Sequence, residues 1–432
     1  MDNAYFEIGY IMAAKFSRRR VLKHSVFMSA TAAACDSVCG QQDAAEAIDG
    51  TSPQPQDRCL TPAEDFYTVA RGNPKPHLLT GNELVSARMT RESWRLEITV
   101  DESLDEPIVK QNATAEKQLS ISNGTAIDFD TLLSLERKSS VKLIKAIQCL
   151  NIPTPLGQGL WEGIALRDVL KLCGKTKNIR RIYYWGFHNN DPTQRFQSSL
   201  SYTQAVDHAP NDPPVFLAYK LNGKPISPLR GGPVRMIVPW AYGFKSIKWL
   251  QNIVLSNDPR ANDTYSNQNN DPDSPIKTAA YLNKPNIKFE HGVPISLSGI
   301  AISGLSDLKK VQFSIRRVEP NFSQLDYDHP EIQNGRWEDC EVSAPPSNWK
   351  PILPTDISSS DIFGFDKTSG KPMQWPMRYG MANWKVILKK LDRGSYEFRV
   401  RTIDRNGFAQ PDPRPLAKSG RNAMPVHQFQ VV

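Results

Sequence analysis

The sequence predicts an α+β protein in which a mixed α/β domain is followed by a β-sandwich. Two observations carry this. Residues 60–275 mix short strand-like runs with helix-like ones, whereas the runs after 275 alternate apolar and polar residues between turns. A polar stretch from Asp258 to Pro275, loaded with Asn, Asp, Ser and Pro, separates the two regimes and reads as a long loop or a domain junction.

In the first region Trp94-Arg-Leu-Glu-Ile-Thr-Val100 and Val215-Phe-Leu-Ala-Tyr219 have the β-branched and aromatic content of strands, and Leu166 to Leu172 has helical spacing. In the second, Ile295-Ser-Leu-Ser-Gly-Ile-Ala-Ile-Ser303, Val311-Gln-Phe-Ser-Ile-Arg316, Trp384-Lys-Val-Ile-Leu388 and Tyr396-Glu-Phe-Arg-Val-Arg-Thr402 place apolar side chains on one face, as half-buried sandwich strands do. The 33 prolines shorten strands and favour loops, and no internal repeat or low-complexity block is present.

With 432 residues, 39% hydrophobic and 23% charged, the chain is long enough for two or three packed domains. Its 53 basic and 45 acidic residues leave a charge of +8, spread along the chain and not gathered into a block. That distribution favours an anionic substrate or cofactor over a nucleic-acid surface. No window approaches the roughly 18 consecutive apolar residues that a spanning helix needs, so a soluble mature protein without a membrane span is expected. The six cysteines (Cys35, Cys39, Cys59, Cys149, Cys173 and Cys340) are too scattered for a disulfide framework, and no haem-attachment CxxCH or paired zinc CxxC occurs. A redox centre has to be held in another way.

Residues Phe16-Ser-Arg-Arg-Arg-Val-Leu-Lys23, followed by a weakly apolar stretch from Ser25 to Ala34, have the twin-arginine export pattern. That route carries proteins already folded around a cofactor, so export to the periplasm after cofactor insertion is expected. Met12 is an alternative start, and Cys35 after three alanines invites a lipoprotein reading, against which stands Ala32 where Leu is expected. Asp36 to about Gln56 is small and polar, suiting a linker, and the folded part is expected to begin near Leu60.

Ala146-Ile-Gln-Cys-Leu-Asn151 puts a thiol at the end of an apolar run, and Gly157 to Trp161 and Gly163 to Leu170 follow after a Pro-rich turn. Taken alone, Cys149 would read as a small buried apolar residue. Downstream stand Leu217-Ala-Tyr-Lys-Leu-Asn-Gly-Lys-Pro-Ile226 and Arg230-Gly-Gly-Pro-Val-Arg-Met-Ile-Val-Pro-Trp-Ala-Tyr-Gly-Phe-Lys-Ser-Ile-Lys-Trp-Leu250. These three blocks, in this order and at this spacing, resemble the molybdenum domain of the sulfite oxidase family. Gly299 to Gly304, Val311 to Ser314, Trp384 and Arg401 to Pro411 resemble the immunoglobulin-like dimerisation domain that follows it. The resemblance covers roughly residues 60 to 425. It implies an export signal and linker over 1–59, a molybdopterin-binding oxidoreductase domain over 60–275 and an immunoglobulin-like β-sandwich over 276–432.

The resemblance implies molybdenum held by one pyranopterin (molybdopterin) and by the thiolate of Cys149, a soft ligand suited to a metal that shuttles oxygen atoms and electrons. It places Arg230 and Tyr265 with Cys149 among the catalytic residues, with Tyr281 as a competitor of Tyr265. The pterin's phosphate or nucleotide needs cations and close backbone approach; Arg235, Lys245 and Lys248 are candidates for the charge, and Gly231, Gly232 and Gly243 for the approach. Thr61 to Pro76 resembles the family's opening, where Arg71 and Asn73, and less clearly His77, are candidate cofactor contacts.

Two departures bear on the substrate. In typical sulfite oxidases Ala/Ser-Gly-Asn and a long insertion follow the metal cysteine; here Leu150-Asn151 follows and Trp161 comes twelve residues after Cys149. Arg230 stands where a His usually precedes Gly-x-Pro-x-Arg. The short connection looks more like the periplasmic methionine-sulfoxide reductases, which share the fold but lack the C-terminal domain. The expected function is oxidation of sulfite or a similar small sulfur oxyanion by oxo transfer. Without haem in this chain, the electrons go to a separate carrier such as a cytochrome. Sulfoxide reduction is the alternative and a non-catalytic module the second alternative, and the C-terminal resemblance implies a homodimer.

Overall fold

The period-two runs become strands in the computed structural model, which describes residues 59–101, 110–150, 152–319, 322–411 and 422–432. The twin-arginine segment, the linker and Cys35 with Cys39 lie outside the described residues. In chain order the first half contributes β1 (Arg95–Val100), β2 (Ser140–Ile147), β3 (Gly157–Ala165), β4 (Arg181–Gly186), β5 (Ser198–Ser201), β6 (Phe216–Leu221), β7 (Arg235–Ile237) and β8 (Leu250–Ser256). In β1 the pattern acts as expected, because Leu96 and Ile98 are buried while their neighbours stay half-buried.

These strands form two sheets. In one, β8 lies between β1, which it pairs in parallel, and β4, which it pairs antiparallel; β5 extends the sheet beyond β4. In the other, β3 lies antiparallel between β2 and β6, and β7 pairs with β6. β3 is buried along its whole length, which explains why Gly-Gln-Gly-Leu-Trp-Glu-Gly-Ile-Ala lacks a polar face. The helix expected over 166–172 is Leu166–Leu170, continued by a 3₁₀ turn over Lys171–Cys173. It buries Leu166, Val169 and Leu170 against the core that β1, β4 and β8 share with Trp94.

The second half adds β9 (Ala279–Leu282), β10 (Ile295–Ile302), β11 (Leu308–Val318), β12 (Met381–Leu388), β13 (Gly394–Asp404) and β14 (Val426–Val431). The four runs read as strands fall in β10, β11, β12 and β13, with Ser303 alone lying just past the end of its strand. One sheet runs β9, β10, β12 and the short strand Glu341–Val342; the other places β14, β13 and β11 side by side between Lys288–Phe289 and Glu338–Asp339. Both feed one core, in which Leu297 and Trp384 meet Val311, Phe398 and Phe429. The polar stretch 258–275 has no strand and only a 3₁₀ turn at Ser266–Gln268.

A further cluster joins the halves: Ala146, Leu150, Tyr242, Phe244 and Tyr265 pack with Ala279, Ile302 and Tyr379. The segment between β11 and β12 also reaches back to β2, the edge strand of its sheet. Phe363 donates its backbone N–H to the carbonyl of Lys142 at 2.8 Å, and Ala146 donates to the carbonyl of Tyr379 at 2.8 Å. An unpaired strand edge next to a core is costly, and these contacts cover it. Among the described residues no helix is long and apolar enough to cross a membrane.

Candidate functional site

The end of β2, the turn before β3, the loop after β7 and two loops around residues 66–76 and 186–196 enclose an open cavity of about 1030 Å³. Cys149 lines it, half-buried and with a free thiol. Arg71, Arg230, Arg235 and Lys248 line it as well, and among the described residues no carboxylate does. The walls are aromatic: Phe66, Trp161, Phe196, Phe244 and Trp249. A thiol, four cations and flat apolar walls thus share one concave space, the general form of a site for a large planar anion.

Backbone carbonyls hold Arg235 and Lys248, a hydroxyl helps to hold Arg230, and an aromatic ring lies under Arg71. Arg235, at the start of β7, donates to the carbonyls of Arg230 and Ser246, both at 2.7 Å, and its guanidinium carbon lies 5.0 Å from the centre of the Trp161 ring. Arg230 donates to Thr68 Oγ1 at 3.0 Å, and Lys248 Nζ to the carbonyl of Leu229 at 3.1 Å. Arg71 lies over the Phe196 ring at 3.7 Å, at the exposed rim. The Nε atoms of Arg230 and Arg235 are buried without a hydrogen-bond partner. Two orphaned donors on uncompensated cations are what an anionic ligand would complete.

The electrostatics agree. Burial, then the nearby Arg230, lowers the Arg235 guanidinium to about 9. Burial, then Arg235, Arg230 and Arg71, lowers the Lys248 ammonium from its ordinary 10.5 to about 7. Burial also depresses Arg230, partly offset by Glu64. Positive charge is therefore held under strain in this cavity, and bound negative charge would relieve it.

Other candidates lie elsewhere. Lys245 points away from the cavity: its Nζ is buried, donates to the carbonyl of Ser199 at 2.5 Å and pairs with Asp263 at 3.6 Å, so it braces the loop from behind. Tyr265 stands behind the wall, stacked on Phe244 with ring centres 4.4 Å apart and edge-on to Phe196. Tyr281 belongs to β9 and is buried in the cluster that joins the halves. The backbone N–H of Asn73 donates to Oε1 of Gln194 at 2.8 Å and its carbonyl accepts from Nε2 of the same side chain at 3.0 Å, which ties the two rim loops together. His77 is not in the lining; burial and Lys248 lower its pKa.

Gly231 and Gly232 serve packing where close cofactor approach was expected. Gly231 has φ +96°, and a Cβ there would come within 2.5 Å of Lys248 Cγ, so the glycine makes room for that side chain. A Cβ on Gly232 would lie 1.8 Å from the carbonyl oxygen of Ile226. Gly243 does line the cavity, and its N–H donates to the carbonyl of Gln148 at 2.7 Å.

Three residues near the site carried no signal in the sequence. Gln148, 1% exposed, donates its side-chain amide to the carbonyls of Cys149 and Ile152 at 2.9 and 2.7 Å, fastening the turn that bears the thiol. Lys145 is fully buried beside Arg235, and burial first and Arg235 second lower it to about 7. His188 reaches the rim from the loop after β4. Among the described residues no group of three or more His, Cys, Asp and Glu side chains comes together as a metal site. A metal at Cys149 would take its remaining ligands from a bound group.

Residues 116–264, which include Cys149, Arg230, Arg235 and Lys248, match the family model described as an oxidoreductase molybdopterin binding domain. The chain is 26% identical over 214 residues to the mitochondrial sulfite oxidase of Drosophila melanogaster, covering 48% of this chain and 34% of that protein. Over this domain the chain is similar to molybdopterin oxidoreductases of the sulfite oxidase type. It is also 33% identical over 110 residues to a nitrate reductase [NADPH] of Fusarium oxysporum, 26% of this chain. It spans only 12% of that relative's length. Its fold is similar to that of the sulfane dehydrogenase SoxCD from Paracoccus pantotrophus, with a TM-score of 0.51, 15% identity and 89% of each chain covered. The cavity fits a molybdenum-pterin cofactor: it offers a sulfur ligand in Cys149, orphaned guanidinium donors for a phosphate, and aromatic walls for a pterin.

Proposed function

We propose that this chain is a member of the sulfite oxidase family, an exported molybdenum-pterin enzyme that oxidises sulfite or a similar small sulfur oxyanion and passes two electrons to a separate carrier, such as a cytochrome. The observation that carries this reading is the meeting of Cys149 with Arg71, Arg230, Arg235 and Lys248 in one cavity that no carboxylate of the described residues lines. When bound, the cofactor supplies two-electron oxygen-atom transfer. Cys149 holds the metal as a thiolate. Arg235 and Lys248, the more deeply set cations, take the cofactor's phosphate. Arg230 and Arg71 draw the small anion toward the thiol and orient it, as fixed charges in a desolvated cleft do. Each turnover converts sulfite and water to sulfate, two protons and two electrons.

The remaining parts of the reading rest on the sequence. They are a domain division near residue 275, an immunoglobulin-like and dimerising second half, a homodimer, and periplasmic delivery by the twin-arginine segment. Sulfoxide reduction is favoured by one specific feature, the short path from Cys149 to Trp161.

One experiment separates these readings. Protein produced in an exporting host that makes the cofactor is analysed for molybdenum and assayed with sulfite and an artificial acceptor. Sulfite-dependent reduction of the acceptor, lost by at least 100-fold in Cys149→Ser, supports the proposal. Oxidation of a reduced dye by a sulfoxide or by nitrate, without sulfite turnover, replaces it with the corresponding reductase, and absence of molybdenum points to a non-catalytic module.

A further inference from the structure

Between β11 and β12 the chain makes a turn that reaches across to the thiol-bearing strand. Tyr379 is the centre of this turn. Its carbonyl accepts the N–H of Ala146 at 2.8 Å, three residues before Cys149, on the open edge of β2. Its ring, 2% exposed, packs in the cluster that contains Ala146 and Leu150, on either side of Cys149, together with Phe244 of the cavity wall. Its own N–H donates to the carbonyl of Ser303 at 2.9 Å, just past the end of β10. Next to it, Met381 donates to Oε1 of Gln158 at 2.5 Å, in β3 opposite Ala146.

Tyr379 has φ +63°, a left-handed conformation that costs a non-glycine residue on the order of 1 kcal/mol. Such a conformation persists only where its neighbours over-determine it. Arg378 is the neighbour that does so. Its guanidinium forks onto Asp307, with Nε and Nη2 both at 3.1 Å from the two carboxylate oxygens, and its Nη1 donates to Asp212 of the first half. Gln374 donates to the same Asp307 at 2.8 Å. Asp307 is 5% exposed, and the paired carboxylates raise the guanidinium's affinity for its proton. Bidentate pairs of this kind fix geometry as well as charge.

We propose that Arg378 is a positioning residue for Cys149: by locking the Tyr379 turn against the edge of β2, the second half of the chain sets where the thiol sits in the cavity. The proposal rests on Cys149 being the working group of the site, and its test reads the thiol itself and needs no metal. In the full chain prepared without cofactor, the rate of iodoacetamide alkylation at Cys149 is measured by peptide mass spectrometry, together with backbone hydrogen exchange over 140–150. Cys173, fully buried in the first core, reports global opening. Arg316→Gln breaks an ion pair with the buried Glu397 in the second half, away from the Tyr379 turn, and serves as the control.

Arg378→Gln should raise alkylation of Cys149 and exchange at Ala146 at least fivefold, with Cys173 still protected, whereas Arg316→Gln changes neither. Arg378→Lys, which keeps charge without the fork, should fall between. Equal rates in Arg378→Gln and wild type, or a parallel rise at Cys173, overturn the proposal. If Arg378→Gln does not fold, Asp212→Asn removes one arm of the pair and must give a rise of the same sign. In metal-loaded protein Arg378→Gln should shift the thiolate-to-metal charge-transfer absorption and Arg316→Gln should not. A wild-type chain that takes up no molybdenum would sink the metal reading of Cys149 while leaving the alkylation result to stand or fall alone.

Discussion

The guanidinium of Arg235 lies 5.0 Å from the centre of the Trp161 ring, in a cavity that no carboxylate of the described residues lines. Charge buried in this way is stabilised by whatever anion enters, so the cofactor-free protein should be stabilised by inorganic phosphate. At 100 times its Kd a ligand contributes about 2.7 kcal/mol by mass action. The thermal midpoint should rise with phosphate and not with chloride at equal ionic strength, and Arg235→Met should remove at least half of the rise. An equal response to both salts would falsify an anion site here.

Lys248 provides a pH signature. In the unfolded chain it titrates near 10.5 and in the folded chain near 7, because burial, Arg235, Arg230 and Arg71 all oppose its charge. Between those values the unfolded chain binds a proton that the folded chain does not, so this residue makes stability rise with pH across that window, by at most about 1.4 kcal/mol per pH unit. Urea denaturation of cofactor-free wild type and Lys248→Met should diverge from pH 7 to pH 10, with the wild type gaining as pH rises. Saturating phosphate should flatten the difference, since a bound anion restores the ammonium. Parallel curves would mean that the ammonium is not strained.

Gln148 fastens the Cys149 turn through two carbonyls and, by its own carbonyl, the N–H of Gly243. Gln148→Met keeps the volume and leaves those two acceptors unsatisfied, which costs about 1–3 kcal/mol. Chemical denaturation of the cofactor-free chain measures this. Gln148→Glu should be worse at neutral pH and partly recover in acid, because a protonated carboxyl regains one donor. A loss that does not depend on pH would show that packing alone matters at this position.

The strands were legible in the sequence wherever one face is buried. Leu96 and Ile98 in β1, or Ile295 and Leu297 in β10, repeat at the spacing that a half-buried sheet imposes. The edge of β2 was not legible, because what covers it is Tyr379, more than 230 residues away, acting through a main-chain carbonyl that carries no sequence mark. The cavity shows the same division. Cys149, Arg71, Arg230, Arg235 and Lys248 come together in it, and each belongs to a block quoted from the sequence. Lys245 and Lys248 stand three residues apart in the same block yet face opposite ways. The 3₁₀ turn at Gly243–Lys245 directs the first toward Asp263 behind the wall, a choice made by tertiary packing and not by residue type. Gln148 and Lys145 went unnoticed because a lone amide or lysine in an apolar run resembles a strand's solvent face until the second face is found buried.

Tyr265 tests the distinction between lining a site and supporting it. Its ring stacks on Phe244 at 4.4 Å, and Phe244 faces the cavity. Tyr265→Phe preserves that stack and should change the stability of the cofactor-free chain by no more than about 1 kcal/mol, the typical net value of one hydrogen bond. Tyr265→Ala removes the support and should cost about 3–5 kcal/mol, as aromatic truncations in cores do. Phosphate stabilisation should survive in the Phe variant and weaken in the Ala variant as the Phe244 wall relaxes into the vacated space. If Tyr265→Phe alone abolishes the phosphate effect, the hydroxyl reaches the ligand directly, and the tyrosine belongs to the cavity and not to the layer behind it.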